Sequence, residues 1–142
     1  ENLVFLLENK RVKKIFHNAK FDLRFLTVNL KIDELNSIIC TKVSAKILQG
    51  LDESNSLRNL LGKYLFVNIS KEEQTSDWCT NNLSDEQINY ACNDVSYLQE
   101  LWLRLKEELI ENELFKYAEN CFDFLPTQVY LENRGLKNIF KY

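Results

Sequence analysis

The chain has 142 residues, enough for one domain with its own core, and its 45% hydrophobic and 27% charged residues are ordinary for a globular protein. Its net charge of −3 does not favour wrapping of long duplex nucleic acid, although it permits a small anionic ligand neutralised by metal. No apolar run approaches the roughly 20 residues of a membrane span, so no membrane partner is expected. The four cysteines form no Cys-x-x-Cys pair. This argues against structural zinc or disulfides and predicts reduced thiols in a cytoplasm.

The first half of the chain is predicted to alternate between helices and short strands. Apolar periodicity indicates the helices, and runs of Val, Ile and Phe indicate the strands. Asn18 and Ser56 are candidate N-caps, and Gly50 is a candidate helix C-terminus. The predicted helices lie at about 1–9, 19–30, 41–49 and 57–64, and the predicted strands at 12–17 and 37–40.

The second half is predicted to be helical after an irregular stretch at 65–83. A loop of this length in a compact domain is usually either functional or disordered. Ser84 and Gln87 match a capping box, which predicts a helix to about residue 111. Its expected core stripe consists of Ile88, Ala91, Val95, Leu98, Leu101, Trp102 and Leu105. Further helices are expected at about 113–122, 127–133 and 136–141, separated by Pro126 and Gly135.

The predicted strands are too few for a sheet that is stable alone, because three or more strands are generally needed. The chain also contains no Met and opens on Glu1 within an apolar helical pattern. We therefore expect a fragment whose first strands lie upstream. The strand at 12–17 would then expose an apolar edge, and such edges favour pairing with another chain.

Two carboxylates are the candidates for chemistry. Asp22 follows the strand at 12–17, whereas Tyr90 and Asp94 are four residues apart and share one helix face. Together they would suit a site for metal and phosphate. Asp22 has a second interpretation, as a solvated carboxylate favoured by the helix dipole. Asp94 lies in an apolar stripe, where a carboxylate needs a partner or a metal. Tyr90 alone is more often a packing aromatic.

The remaining polar and aromatic candidates each have two interpretations. Asn18 could bind a substrate phosphate or cap its helix. Trp78 could stack on a base or fill the core beneath the loop, while Ser76 or Asp77 shapes the groove or caps a turn. His17 ends a strand, and a structural role is favoured for it.

The motifs, taken in order, resemble the RNase D group of DEDD exonucleases, in the branch that has Tyr in its third motif. His17-Asn-Ala-Lys-Phe-Asp22 resembles the second exonuclease motif, and Tyr90-x-x-x-Asp94 resembles the third. Residues 121–127 further resemble the nano-RNase C group of compact bacterial oligoribonucleases. Segments at 40–48, 56–62, 71–78 and 83–91 also resemble the RNase D group.

The resemblance implies an α/β, ribonuclease H-like exonuclease fold from which the first three strands are missing. Residues 1–142 would form the C-terminal two-thirds of a single 3′-5′ exonuclease domain. The family's first motif, Asp-x-Glu, is not found upstream of Asp22. The alternative to an active enzyme is therefore a catalytically inactive exonuclease-like fragment or interaction module.

The implied activity is metal-dependent removal of nucleotides from the 3′ end of short single-stranded RNA or DNA oligonucleotides. Two Mg²⁺ or Mn²⁺ ions would act in the complete site. The resemblance implies Asp22 and Asp94 as metal ligands and Tyr90 as the residue that orients the attacking water. These three are the predicted catalytic residues. The predicted substrate-binding residues are Asn18, Ser76 and Trp78. The resemblance also allows a homo-oligomer.

Overall fold

The structure is a computed structural model that describes residues 2–32, 34–69, 76–80 and 82–141. Within these ranges the strands are β1 (Lys14–Phe16) and β2 (Ile38–Cys40). The helices are α1 (Asn2–Glu8), α2 (Ala19–Leu30), α3 (Thr41–Gln49), α4 (Leu57–Leu65), α5 (Asp85–Ser96), α6 (Leu98–Glu111) and α7 (Phe115–Asn133). None of these helices is long and apolar enough to cross a membrane. Predictions that concern residues 70–75 and 81 lie outside the described residues.

The two strands are parallel, with Lys14 opposite Ile38 and Phe16 opposite Cys40. In the described part of the chain, β2 is the strand that pairs with β1. Parallel strands place their carboxyl ends at the same edge of a sheet. The N-termini of α2 and α3 therefore lie together there, just beyond Phe16 and Cys40.

The core consists of two clusters that α6 joins. The first packs the sheet against α2, α6 and α7, and the second packs α3, α4 and α6 together. From α6, Trp102 and Leu109 enter the first cluster, whereas Leu101 and Leu105 enter the second. Because one helix supplies both clusters, they are parts of one packed unit.

The helix predicted from Ser84 to about 111 is interrupted at Tyr97, whose φ of −96° and ψ of −4° separate α5 from α6. The predicted core stripe is confirmed in α6 and wrong in α5. Because the chain bends at Tyr97, the apolar face of α5 does not continue onto the core. The stripe residues of α6 are buried, namely Leu98, Leu101, Trp102 and Leu105. The stripe residues of α5 are exposed, namely Ile88, Ala91 and Val95.

The two helices predicted on either side of Pro126 form a single helix, α7. A proline inside a helix removes one backbone hydrogen bond and usually kinks or breaks it. Here buried residues lie on both sides of the proline, including Phe122 and Val129, and their packing holds the helix together. The predicted helix at 136–141 is absent, and Gly135, with φ of 86°, follows the end of α7 as expected.

Candidate active site

Asn18 occupies the N-cap position of α2, as predicted, but its side chain makes no capping hydrogen bond. Its φ of 76° and ψ of 43° lie in the left-handed region, which Asn tolerates better than most residues. The backbone still turns into the helix, because the Phe21 N–H donates to the Asn18 carbonyl at 2.9 Å. The capping interpretation of the Asn18 side chain is therefore wrong.

A cleft of about 650 Å³ lies at the carboxyl ends of the strands, with α5 bordering it. Asp22 comes from the first turn of α2, while Tyr90 and Asp94 come from α5. The structure thus brings together the two motifs that are far apart in sequence. The predicted residues that line the cleft are His17, Asn18, Asp22, Tyr90 and Asp94, and those that sequence reasoning missed include Phe21, Lys42 and Arg58.

Both carboxylates of the cleft are partly desolvated. Burial raises the pKa of Asp22, while a hydrogen bond from its own backbone N–H opposes the shift. Burial also raises the pKa of Asp94, and a hydrogen bond from the Tyr90 hydroxyl opposes it. The pKa of Tyr90 is raised by burial and by the negative charge of Asp94. The two acids therefore lie where a bound cation would stabilise their charged forms.

Trp78 lies beside the cleft rather than in the core, so the core-filling interpretation is wrong. Its side chain is 38% exposed. Its ring centroid lies 6.0 Å from that of Tyr90, with the planes tilted by 55°. The turn-capping interpretation of Asp77 is confirmed, because its Oδ1 accepts from the Cys79 N–H at 2.9 Å. Ser76 meets α5 through a hydrogen bond from Gln87 Nε2 to its Oγ at 3.0 Å.

His17 has the structural environment that the sequence favoured. Its Nδ1 lies 3.0 Å from Thr41 Oγ1, and that hydroxyl donates to the Phe16 carbonyl at 3.2 Å. The tautomer of the imidazole sets which atom of the Nδ1–Oγ1 pair donates. Burial and the nearby charge of Lys42 lower the pKa of His17 to about 4. The imidazole is therefore neutral at pH 7 and links β1 to α3.

The carboxylates of the cleft are the type of ligand that a hard divalent cation binds, but they are too few to form a complete metal site. Carboxylate oxygens are the ligands that Mg²⁺ and Mn²⁺ prefer. Asp22 and Asp94 supply such oxygens in one cleft. Among the residues that the structure describes, no group of three or more His, Cys, Asp or Glu could hold a metal. Asp22 and Asp94 can therefore provide part of a metal site.

The sequence matches a family model described as 3′-5′ exonuclease over residues 1–110. Ribonuclease D from Haemophilus influenzae is 39% identical over 107 residues, which are 75% of this chain and 26% of that protein. The structure of Brucella melitensis NrnC superposes with a TM-score of 0.94 at 36% identity, covering 100% of this chain and 69% of that chain.

Two other structures of the Brucella protein are also similar. The one bound to pGG has a TM-score of 0.92 at 36% identity, over 99% of this chain and 69% of that chain. The one with bound Mg²⁺ has a TM-score of 0.90 at 34% identity, over 100% of this chain and 69% of that chain. The chain thus spans about a quarter of the Haemophilus ribonuclease D and about two-thirds of NrnC. These matches confirm the ribonuclease H-like exonuclease fold, and the chain belongs to the 3′-5′ exonuclease family, in its ribonuclease D-like group.

Proposed function

We propose that this protein is a metal-dependent 3′-5′ exonuclease that hydrolyses the phosphodiester bonds of short oligoribonucleotides. The observation that carries the proposal is the single cleft shared by Asp22, Tyr90 and Asp94. The similar Brucella structures with pGG and with Mg²⁺ support a short RNA substrate and a divalent ion. The family resemblance extends the substrate class to single-stranded DNA and the proposed ions to Mn²⁺.

Asp22 and Asp94 would supply some of the ligands of two Mg²⁺ or Mn²⁺ ions. When bound, such ions supply Lewis-acid stabilisation of the phosphoryl oxygens and an activated water. Tyr90 keeps its proton at neutral pH, since its pKa is raised. Its hydroxyl donates to Asp94, and its oxygen lone pairs can accept a hydrogen bond from the attacking water and so orient it.

Substrate binding would use groups at the margin of the cleft. The Asn18 amide makes no capping hydrogen bond, which suits it to donate to a substrate phosphate. Trp78, beside Tyr90, offers an aromatic face on which a base can stack. Ser76 is held near Trp78 by Gln87 and completes this margin.

The test is a nuclease assay on the protein, expressed with whatever its gene encodes on either side of residues 1–142. A labelled pentaribonucleotide with Mn²⁺ should be shortened from its 3′ end. Asp94→Asn should lower kcat by roughly 100-fold or more, because losing several kcal/mol of charge stabilisation corresponds to that factor. Asp123→Asn, on the exposed side of α7, is the matched control and should keep wild-type activity.

Equal activity of the wild type and Asp94→Asn would contradict the proposal. A wild type as inactive as Asp94→Asn would instead favour the second candidate, a catalytically inactive interaction module. The observation behind that candidate is the small donor set of the cleft within the described residues.

A further inference from the structure

A second cavity, of about 880 Å³, lies along α4 and shares one lining residue with the reaction cleft. Arg58, in the first turn of α4, lines both cavities. Its side chain is exposed, and within the described part of the chain it forms no ion pair with a carboxylate. A strand-like ligand that leaves the reaction cleft past Arg58 would enter the second cavity.

The second cavity combines positive charge with amide groups. Arg58 and Lys63 are its cations, and Glu53 is the one carboxylate among its described lining residues. Lys63 Nζ donates to Gln49 Oε1 at 2.8 Å, which fixes the ammonium group at the cavity wall. A phosphodiester backbone is an anionic ligand that matches this net positive lining.

Phe66 adds an aromatic face to the same cavity. It ends α4 with φ of 57°, in the left-handed region that a bulky residue rarely adopts. Its side chain is 92% exposed, so packing in the described part of the fold does not account for its size. Exposed aromatic rings beside cationic side chains are the combination that binds single-stranded nucleic acid without sequence preference.

We propose that the cavity along α4 binds the upstream part of a single-stranded oligonucleotide whose 3′ end occupies the reaction cleft. Arg58 and Lys63 contact its phosphates, and a base stacks on Phe66. This inference rests on the proposed function and deepens it, because it makes the substrate longer than a dinucleotide. An exonuclease that removes the 3′ nucleotide leaves the rest of the strand upstream, and Arg58 borders both the cleft and the cavity that would hold that strand.

The test compares the affinities of a dinucleotide and a pentanucleotide, measured by calorimetric titration with Ca²⁺ in place of the proposed catalytic ions. The wild type should bind the pentanucleotide about tenfold more tightly, as one stacked base and its phosphates allow. Phe66→Asn should abolish this excess affinity for the pentanucleotide and leave the affinity for the dinucleotide unchanged. Asn accepts the left-handed backbone, so the variant should fold. Phe66→Trp should keep the excess, and Lys63→Gln should reduce it.

Lys46→Gln is the matched control for Lys63→Gln, because Lys46 is exposed on α3 and lines neither cavity. Equal wild-type affinity for the two oligonucleotides would overturn the inference, as would an unchanged excess in Phe66→Asn or no measurable binding of either. Hydrolysis of the dinucleotide with Mn²⁺ is measured on the same protein. If the affinity excess is found but neither oligonucleotide is hydrolysed, the proposed function fails and the binding cavity stands.

Discussion

His17 is a residue whose protonation the fold opposes. Its pKa is about 4 in the folded chain, against 6.5 for an unhindered imidazole, because burial and Lys42 disfavour the charged form. The unfolded chain therefore takes up a proton as the pH falls below 6.5, while the folded chain does not until about pH 4. Stability is lost across this window, by roughly 3 kcal/mol in total.

We therefore expect His17→Gln to reduce the acid sensitivity of folding. The unfolding free energy of the wild type should fall more between pH 7 and pH 4.5 than that of the variant, measured by urea denaturation. The chain has one histidine, so no other imidazole contributes to the difference. The raised pKa values of Asp22 and Asp94 are shared by both proteins and cancel. Parallel pH profiles would contradict this account of His17.

The site residues that sequence could identify were those with fixed spacing. Tyr90 and Asp94 lie four residues apart on one helix, so their proximity is local, and Asp22 lies in the first turn of the helix that follows β1. Lys42 and Arg58 carried no such pattern. A weaker signal existed, because each lies in the first turn of a predicted helix, where the dipole disfavours a cation. That both face the same cleft depends on packing that the spacing does not contain.

At the scale of elements, the N-terminus of α5 is held to the preceding loop by Gln87. This side chain is buried, and its Oε1 accepts from the Ser84 N–H at 3.0 Å, which completes the predicted capping box. Its Nε2 donates to Ser76 Oγ at 3.0 Å and to the Asp77 carbonyl at 2.9 Å. One amide thus joins the helix cap to the segment that carries Trp78.

We expect Gln87→Leu to destabilise the fold by about 1–3 kcal/mol, because buried polar partners lose their hydrogen bonds. It should also move Trp78 away from Tyr90 and lower nuclease activity. The readouts are urea denaturation and tryptophan fluorescence in a Trp102→Phe background, in which Trp78 is the remaining tryptophan. Gln99→Leu, at an exposed position of α6, is the control. Unchanged Trp78 emission in Gln87→Leu would contradict the positioning role.

The elements themselves were predictable where their signals are local. The capping box placed the start of α5 correctly, and Gly50 ends α3 with φ of 86° as expected. The errors arose where packing overrides a local signal. Pro126 predicted a break that the buried residues on both sides prevent. Tyr97 carries no breaking signal, yet the chain bends there as α6 enters the core.

At the scale of the whole molecule, apolar surface remains on the side of β1 and α2. In the described part of the chain β1 pairs with β2, and α2 packs on β1. The outward face of α2 carries Phe25 and Val28, which are 66% and 65% exposed. A strand edge beside an exposed apolar helix face is a surface that favours association with another chain.

We therefore expect the isolated 142-residue chain to self-associate through this side, as sedimentation velocity at increasing concentration would show. Replacing Phe25 and Val28 together by Gln should shift the chain towards monomer, because it removes the apolar area that association buries. The matched control replaces Leu103 and Ile110 by Gln on α6, where both side chains are about half exposed. That control should associate like the wild type. A wild type that stays monomeric at every concentration would contradict the prediction, and an equal effect of both double variants would place the interface elsewhere.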